Sequence, residues 1–344
     1  MTPLPKVSFL IPTLNAAGIL ETCLRSIRNQ DYPSDLVEIV VADGGSSDGT
    51  RELAGRYGAR VVENPRRGYD SGKCEAFAAS TGEYSIFVDA DNELTHPDFT
   101  RRAVAALGSH PNALGLESYY FASPQMSSFC VYLSELLHVS DPVAWMMSVN
   151  PVMKSSVDGV EQWTFPKGSL AFPMGANGFV FRRSDLAHLT AQDLFEDCTI
   201  VLELAQKGRS DWLRLRGRGV HHYVVGGFAD FVRKRRRQTF HFLSQRTEHK
   251  VSWTQFKPHL PPWAACLYCV SFVGPAFHAV RGYWRTGNVE WLWHLIACPA
   301  SVFGIAWGVW TYWTQRSDAG AEAKLQPKQA LSAAPNAAKG KDAL

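Results

Sequence analysis

Two acidic residues, Asp89 and Asp91, follow the apolar run Tyr84–Val88 directly in the sequence. The apolar run predicts a buried strand. Two carboxylates one residue apart at its end suit a hard divalent cation, Mg²⁺ or Mn²⁺, which takes oxygen ligands. An acidic turn exposed to water is the alternative, because a short Asp-x-Asp pattern often arises by chance. The position after a predicted buried strand favours the metal site.

A third acidic residue, Asp43, ends the apolar run Val37–Ala42 and opens the turn DGGSSDGT. A carboxylate in that position accepts hydrogen bonds from the base or ribose of a nucleotide. The glycines of the turn allow close approach of the backbone. Asp48 is interpreted as a helix cap instead. Since no Gly-x-Gly-x-x-Gly pattern occurs here, a dinucleotide-binding fold is disfavoured.

The acidic pair Glu196 and Asp197 begins a run with helical periodicity that continues to Ala205. Negative charge is stabilised at the beginning of a helix, so capping electrostatics is one interpretation. A general base beside an acceptor hydroxyl is the other. The residues alone leave the two interpretations open.

Basic residues concentrate between Arg214 and Gln238, including five in a row at 233–237. Such density is typical of sites for a diphosphate, an anionic lipid or nucleic acid, and a solvated charged face is the alternative. A net charge of only +3 over 344 residues gives no argument for nucleic acid. Arg233 and Arg236 are candidate diphosphate contacts. His221 and His222 could include a metal ligand, with His221 the candidate, although a lone histidine is more often structural.

The elements that must position these residues alternate regularly between residues 6 and 108. Strands are predicted at Val7–Ile11, Val37–Ala42, Ala59–Val62 and Tyr84–Val88, and helices at 16–29, from about Thr50, and at 72–80. Repeated strand–helix–strand units with apolar strands predict an α/β fold, a mostly parallel sheet flanked by helices. Ligands of such sheets bind beyond the carboxyl ends of the strands, where the polar clusters fall.

The predicted organisation is one catalytic domain followed by a membrane-associated appendage. Residues 1–108 form the nucleotide-binding half of the domain and 109–240 the acceptor half. An interfacial linker follows at 241–262. The tail at 315–344 is rich in Ala, Lys, Gln and Pro, which predicts disorder.

Two apolar, aromatic segments, 263–280 and 291–313, predict a helical hairpin over 263–314. A membrane-spanning helix needs about 20 mostly apolar residues, which the second segment provides. Pro275 and Pro299 are better tolerated in membrane helices than in soluble ones. A spanning hairpin, a re-entrant or interfacial hairpin, and a buried soluble helix pair are the open interpretations.

Seven cysteines lie singly, in an odd number and without facing Cys-x-x-Cys pairs, which predicts a reducing compartment. The apolar run after Lys6 is too short for a signal peptide. Together with the apolar segments, these features predict a protein of the inner (cytoplasmic) membrane whose catalytic domain faces the cytoplasm.

Five motifs, IPTLN, VVADGGSSDGT, TGEYSIFVDADN, GANGFVFRRSDL and FED, resemble family-2 glycosyltransferases in their order and spacing over about residues 6–240. The resemblance implies a GT-A, Rossmann-like fold, a nucleotide-sugar donor and metal-dependent inverting transfer. By position, it implies nucleoside or donor contacts for Pro12, Thr13, Asn15, Asp43, Lys73 and Asp89. It also implies metal ligation by Asp91 and Asp89, and general-base catalysis by Asp197 beside Glu196.

The predicted function is transfer of a sugar to a hydroxyl of a lipid-linked or membrane-associated glycan acceptor in cell-envelope synthesis. The alternative is a polyprenyl-phosphate glycosyltransferase similar to dolichyl-phosphate-mannose synthase, whose acceptor is already an anion and needs no base; Glu196 and Asp197 disfavour it. A nucleotidyltransferase would carry a basic, glycine-rich loop where this chain reads IPTLNAAG. A non-catalytic membrane-surface protein would not need carboxylates at three sheet ends.

Overall fold

The computed structural model describes residues 3–136, 141–148, 151–166, 174–175, 177–193, 195, 197–223, 227–245 and 258–325. The side chains at 197–198, 241, 245 and 316–325 lie outside this description.

Four parallel strands and three connecting helices form the first half of the sheet. They are β1 (Val7–Thr13), α1 (Ala17–Arg28), β2 (Val37–Asp43), α2 (Thr50–Arg56), β3 (Arg60–Glu63), α3 (Tyr69–Ala79) and β4 (Tyr84–Phe87). β1 is central and pairs with β2 and β4, while β3 pairs with the outer side of β2. The predicted strand–helix order and the parallel sheet are therefore confirmed.

Two apolar clusters cover the two faces of this sheet. Alternate residues of β1 supply both, because successive side chains of a strand point to opposite faces. Phe9 and Ile11 belong to one cluster, and Leu10 belongs to the other. α1 buries Leu20, Cys23, Leu24 and Ile27 at helical spacing. Burial on both faces explains why the strand reads as a continuous apolar run.

The second half extends the sheet with mixed strand directions. Its elements are β5 (Asn92–Leu94), α4 (Phe99–Ser109), β6 (Leu116–Tyr120), α5 (Ser128–Glu135), α6 (Pro142–Met147), β7 (Val152–Val157), β8 (Val160–Thr164), β9 (Phe179–Arg182), α7 (Asp197–Gln206), β10 (Asp211–His222) and α8 (Phe228–Gln245). Among the described residues the strand order is β3-β2-β1-β4-β9-β6-β10-β8-β7, and β5 pairs with β10. β9 is antiparallel to both β4 and β6.

Three helices follow, α9 (Pro262–Val270), α10 (Val273–Thr286) and α11 (His294–Leu325), with a short 3-10 turn at Val289–Trp293 before the last. The first predicted apolar segment is not one straight helix, because α9 and α10 meet at an angle of 80°. Within the described part of the chain, 289–315 is long and apolar enough to cross a membrane, and the bent pair would add a second span if it acted as one.

α11 also runs to Leu325, past the predicted start of the tail at 315. The Ala, Glu and Lys residues of this stretch are strong helix formers, which accounts for the difference. Residues 326–344 of the predicted tail and most of the predicted linker at 241–262 lie outside the described residues.

α8 packs lengthwise against the middle of α11. A Cβ at Gly304 would lie 2.7 Å from the Cβ of Arg235, and a Cβ at Gly308 would lie 2.7 Å from that of Thr239. The two helices therefore run in the same direction, and glycine is needed for their close approach. The basic helix α8 thus covers one side of the apolar helix α11.

Candidate functional site

Three side chains that can bind a metal meet at one edge of the sheet. Asp89 and Asp91 follow β4, and His222 ends β10. The antiparallel pairing of β10 with β5 sets His222 opposite Asn92, which brings the imidazole to the carboxylates. One ligand atom from each of the three side chains lies within 4.8 Å of the other two. The Nε2 atom of His222 is 3.4 Å from Oδ2 of Asp91.

This geometry fits a divalent cation. Ligands about 2.1 Å from an ion are about 3.0 Å apart at right angles and about 4.2 Å apart when opposite. The 3.4 Å between Nε2 of His222 and Oδ2 of Asp91 therefore needs to contract by only a few tenths of an ångström. Two carboxylate oxygens and one imidazole nitrogen form a donor set that divalent first-row metals accept.

A hydrogen-bonded frame holds the two carboxylates in place. Asn92 donates from Nδ2 to Oδ1 of Asp91 at 3.3 Å, and its Oδ1 accepts from the backbone N–H of Asp89 at 3.1 Å. The backbone N–H of Tyr223 donates to the Asp91 carbonyl at 2.9 Å. The Tyr69 hydroxyl donates to Asp89. Partners of this kind orient metal ligands and raise affinity.

The electrostatics of the cluster also favour a cation. Burial raises the pKa of the Asp89 carboxyl, and the neighbouring Asp91 carboxylate adds to that rise. The Lys73 ammonium, the Tyr69 hydrogen bond and His222 oppose it. Two carboxylates this close repel each other when both are ionised, and a bound cation would relieve that repulsion.

The structure brings His222, rather than the predicted candidate His221, to this cluster. Adjacent residues of a strand point to opposite faces, so the two rings separate. Nδ1 of His221 lies 3.0 Å from the carbonyl of Phe121. His222 is 9% exposed and packs edge-on against Tyr120 at 5.6 Å between ring centroids.

Asp43 fixes the turn at the end of β2. Its Oδ2 accepts hydrogen bonds from the backbone N–H groups of Gly45 and Ser46 at 3.0 and 2.9 Å, and its Oδ1 accepts from Thr13 at 3.2 Å. Burial opposes ionisation of Asp43, but these hydrogen bonds outweigh it and hold the pKa of the carboxyl below its usual value. Asp43 and Thr13 lie together, as predicted, and a contact of either with a nucleoside stays a prediction.

The other predicted nucleoside residues shape the same edge. Asn15 is in the left-handed conformation (φ 49°), which asparagine tolerates, and its Oδ1 accepts from the backbone N–H of Ser47 at 3.0 Å. Pro12 packs against the start of α3. A Cβ at Gly72 would lie only 2.9 Å from the Cβ of Pro12, so glycine lets α3 approach β1.

Lys73 is fully buried on α3. Its Nζ atom lies 4.0 Å from the ring centroid of Tyr69 and 5.5 Å from that of Phe195. Its charge favours the ionised form of Asp89. The structure therefore places Lys73 beside the carboxylate cluster, and its role in donor binding stays a prediction.

The basic run on α8 divides between different surroundings. Arg233 is paired with Asp230 on the surface, and Arg236 stacks its guanidinium 4.7 Å from the ring centroid of Trp307. Lys234 interacts electrostatically with the carboxylate cluster. Burial and Arg235 lower the pKa of Lys234, whereas Asp91 and Asp89 raise it.

The structure describes only part of the predicted catalytic pair, Glu196 and Asp197. Glu196 and the side chain of Asp197 lie outside the described residues, so their roles stay predictions. α7 begins at Asp197, as the helical pattern predicted. Phe195 is buried and stacks on Phe87 of β4 with 4.1 Å between ring centroids. The residue before the pair therefore lies near the strand that carries Asp89.

Residues 8–123, which contain β1 to β6 and both aspartates of the cluster, match the model of glycosyl transferase family 2. This part of the chain is a family-2 glycosyltransferase domain.

Three curated relatives resemble the glycosyltransferase domain. Glycosyltransferase AglE of Haloferax volcanii is 30% identical over 110 residues, 30% of this chain and 36% of the relative. A PGL/p-HBAD biosynthesis glycosyltransferase of Mycobacterium tuberculosis is 35% identical over 112 residues, 31% of this chain and 43% of the relative. The GalNAc(5)-diNAcBac-PP-undecaprenol beta-1,3-glucosyltransferase of Campylobacter jejuni is 33% identical over 98 residues, 26% of this chain and 31% of the relative. The matched stretch thus spans less than half of each relative.

Among solved structures, the mannosyltransferase PcManGT from Pyrobaculum calidifontis, in complex with GDP-Man and Mn²⁺, is 20% identical with a TM-score of 0.48. The likeness covers 95% of this chain and 82% of that one. At this identity and TM-score it says nothing about the ligands of the present chain.

The sequence interpretation assigned no role to Asn92 or Tyr69, and it named His222 beside His221 without identifying His222 as the ligand. Asn92 belongs to the quoted motif TGEYSIFVDADN, so its place after Asp91 was the available signal. His222 is distinguished from its neighbour only by strand register. Tyr69 lies 20 residues before its partner Asp89 and carries no sequence signal of its own.

Proposed function

We propose that this chain is an inverting glycosyltransferase that moves a sugar from a nucleotide-diphosphate sugar to a hydroxyl of a lipid-linked acceptor at a membrane. The observation that carries the proposal is the meeting of Asp89, Asp91 and His222 beyond the carboxyl end of β4, within a family-2 glycosyltransferase domain. In α/β sheets, this edge is where ligands bind.

Asp89, Asp91 and His222 would hold Mg²⁺ or Mn²⁺, and the bound ion would supply positive charge to the diphosphate of the departing nucleotide. The imidazole nitrogen makes this donor set better suited to Mn²⁺ than to Mg²⁺, which prefers oxygen ligands throughout. Lys73, buried beside Asp89, would add a fixed positive charge on the donor side. Such a charge is strong because it is withdrawn from water.

Asp197 would act as the general base, as the family resemblance implies. Its carboxylate would take the proton of the acceptor hydroxyl while that oxygen forms a bond to the anomeric carbon. The bond between the anomeric carbon and the diphosphate oxygen would break on the opposite side, and the nucleoside diphosphate would leave with the bonding electrons. A single displacement of this kind inverts the anomeric centre.

Exposed aromatic side chains on the C-terminal helices support a membrane-bound acceptor. Trp263 on α9, Trp284 on α10 and Trp310 on α11 are 68%, 83% and 64% exposed. Tryptophan is enriched where proteins meet the membrane interface. The name of the Campylobacter jejuni relative includes an undecaprenol-linked substrate. We propose that the helices 263–314 hold the domain at the cytoplasmic face of the inner membrane.

The test is binding and hydrolysis of a panel of nucleotide sugars by the full-length, detergent-purified protein with Mn²⁺, Mg²⁺ or EDTA. We expect metal-dependent binding of one donor, weakened at least about 100-fold in Asp91→Ala because a direct ligand is lost. Asp31→Ala is the matched control, since this aspartate is 65% exposed and, within the described part of the chain, its carboxylate pairs with Arg101 on the surface. A folded wild type that binds no donor with either metal would contradict the proposal.

Asp197→Asn separates the two acceptor chemistries. If the acceptor is a neutral hydroxyl, this variant should bind the donor normally but lose most of the transfer rate, because the base contributes about 10²–10⁴-fold. Unchanged transfer to a polyprenyl phosphate would instead support the polyprenyl-phosphate glycosyltransferase, whose acceptor needs no base.

A further inference from the structure

A cavity of about 940 Å³ lies between three parts of the chain: the segment that leads into α3, the basic helix α8 and the second half of α11. Arg66, Arg67 and Tyr69 line it from the first segment, Arg236 and Arg237 from α8, and Thr311 with Gln315 from α11. We call it the arginine cavity. Its walls come from the catalytic domain and from the apolar C-terminal helix together.

The arginine cavity carries a net positive charge. Four arginines line it against one carboxylate, that of Asp70. Arg66 donates to the carbonyls of Gln192 and Asp193 at 2.9 and 2.7 Å, so it braces the wall. Among the described residues, Arg67, Arg236 and Arg237 form no ion pair within 4.0 Å. Three guanidinium groups are thus available to an anion.

The arginine cavity adjoins the proposed donor site through Tyr69 and through Arg67, whose guanidinium would lie 3.5 Å from a Cβ at Gly45 in the turn of Asp43. The hydroxyl of Tyr69 donates to Asp89 in the carboxylate cluster, while the residue, 43% exposed, lines the cavity. Neither Asp43 nor Lys73 lines the cavity. A ligand held there would lie next to the transfer site and beside the turn of Asp43, so competition with a nucleoside diphosphate decides which of the two the cavity serves.

The rim of the arginine cavity is aromatic and apolar. Phe240 of α8 lines the cavity and packs edge-on against Tyr312 of α11, with 6.3 Å between ring centroids. The guanidinium of Arg236 stacks on Trp307 from the same helix. A basic pocket with an aromatic rim matches an amphiphile whose anionic head is followed by an apolar chain.

We propose that the arginine cavity binds the phosphate or diphosphate group of the acceptor lipid, while its apolar chain lies along Phe240 and Trp307. The proposal rests on the proposed function, because it assigns the place of that enzyme's acceptor. Arginine binds phosphate oxygens through two parallel N–H donors, so three free guanidiniums suit a diphosphate. The sugar beyond the phosphate would then reach past Tyr69 to the transfer site.

The test uses farnesyl diphosphate as a short amphiphilic probe, with farnesol and inorganic pyrophosphate as its two halves. Binding to the full-length, detergent-purified protein is measured by calorimetry in EDTA, so that no metal assists a diphosphate at the carboxylate cluster. We expect farnesyl diphosphate to bind at least about tenfold more tightly than either half. Equal binding of pyrophosphate would indicate a site for free phosphate and would overturn the assignment to a lipid.

The double variant Arg236→Gln with Arg237→Gln should weaken farnesyl diphosphate binding at least about tenfold, because two charge-assisted contacts are lost while the side-chain stems stay. Arg233→Gln is the matched control on the same helix, since this arginine pairs with Asp230 and does not line the cavity. Unchanged binding in the double variant, or an equal loss in the control, would overturn the proposal.

Donor binding on the same proteins separates this proposal from the proposed function. Circular dichroism checks that the double variant is folded, and Arg237→Gln alone, at a cavity residue without a predicted donor contact, should retain metal-dependent binding of the nucleotide sugar. If a nucleoside diphosphate displaces farnesyl diphosphate in EDTA, the arginine cavity belongs to the donor and the proposal is wrong. If the wild type binds farnesyl diphosphate but no nucleotide sugar, the proposed function fails while the lipid-phosphate site stands.

Discussion

Replacing His222 by alanine should weaken Mn²⁺ binding, and the same change at His221 should not. The imidazole of His222 is one of three ligand groups within 4.8 Å, so its removal leaves two carboxylates to hold the ion. Loss of even an outer-shell partner costs about 10–100-fold in metal affinity. We therefore expect a rise in the Kd for Mn²⁺ of at least about tenfold, or about 1.4 kcal/mol.

The two substitutions form a matched pair. Both remove an imidazole from the end of β10, but only His222 faces the carboxylates, while His221 lies against the Phe121 carbonyl. His221→Ala should therefore change the Kd by less than about twofold, within the small effects of surface substitutions. Free Mn²⁺ is measured by electron paramagnetic resonance during titration of the full-length protein without nucleotide.

Thermal unfolding gives a second, independent measure of the same affinity. A ligand that binds only the folded state stabilises it by RT ln(1 + [L]/Kd). At 100 times the wild-type Kd, Mn²⁺ should stabilise the wild type by about 2.7 kcal/mol and a tenfold weaker variant by about 1.4 kcal/mol. If His222→Ala binds Mn²⁺ as tightly as the wild type, while Asp91→Ala does not, the imidazole is not a ligand and the three-residue site is wrong.

Two further substitutions test the frame of the site. Gly72→Ala should destabilise the protein by about 1–3 kcal/mol in urea unfolding, because the new Cβ would meet Pro12 and Asn64 at 2.9 Å. Gly55→Ala is the control and should be neutral or stabilising, because a Cβ there would have nothing within 4 Å. Equal effects of the two substitutions would refute the close contact. The pKa of Asp43 is lowered by its hydrogen bonds, so its ionised form stabilises the fold at neutral pH, and that stability is lost as the pH falls through its folded-state pKa. Asp43→Asn should therefore lower the Tm more at pH 7 than at pH 3 by circular dichroism, and an equal loss at both pH values would contradict this.

The parallel half of the fold could be predicted from the sequence because its signals are local. Each strand is a short apolar run bounded by a turn, and each connection is a single helix. The strand before Asp89 and the turn after Ala42 were placed correctly. Helix ends are less certain. α3 was predicted from residue 72 but begins at Tyr69. Tyr69 was therefore not placed on the helix, and the hydrogen bond from its hydroxyl to Asp89 was not predicted.

The second half could not be predicted to the same depth because its contacts join distant segments. The sequence places Arg214 in a basic cluster. In the structure it is buried in an ion pair with Glu117, 97 residues away, with 2.6 Å between the guanidinium and the carboxylate oxygen. Which of two adjacent histidines faces the metal site depends on the register of β10 against β5, which periodicity alone does not give. The apparent basic patch therefore separates into a buried pair, surface pairs and the arginine cavity.

Packing also changes what the apolar C-terminal segment implies. Composition alone indicates that 289–315 could cross a membrane. From Gly304 onward, however, α11 lies against α8 near Arg235 and Arg236, and Thr311 shares a cavity with the catalytic domain. Charged arginines are costly in hydrocarbon, so the part of α11 that lies against α8 disfavours a full crossing. Of the three interpretations that the sequence left open, this packing favours an interfacial or re-entrant arrangement, which stays a prediction.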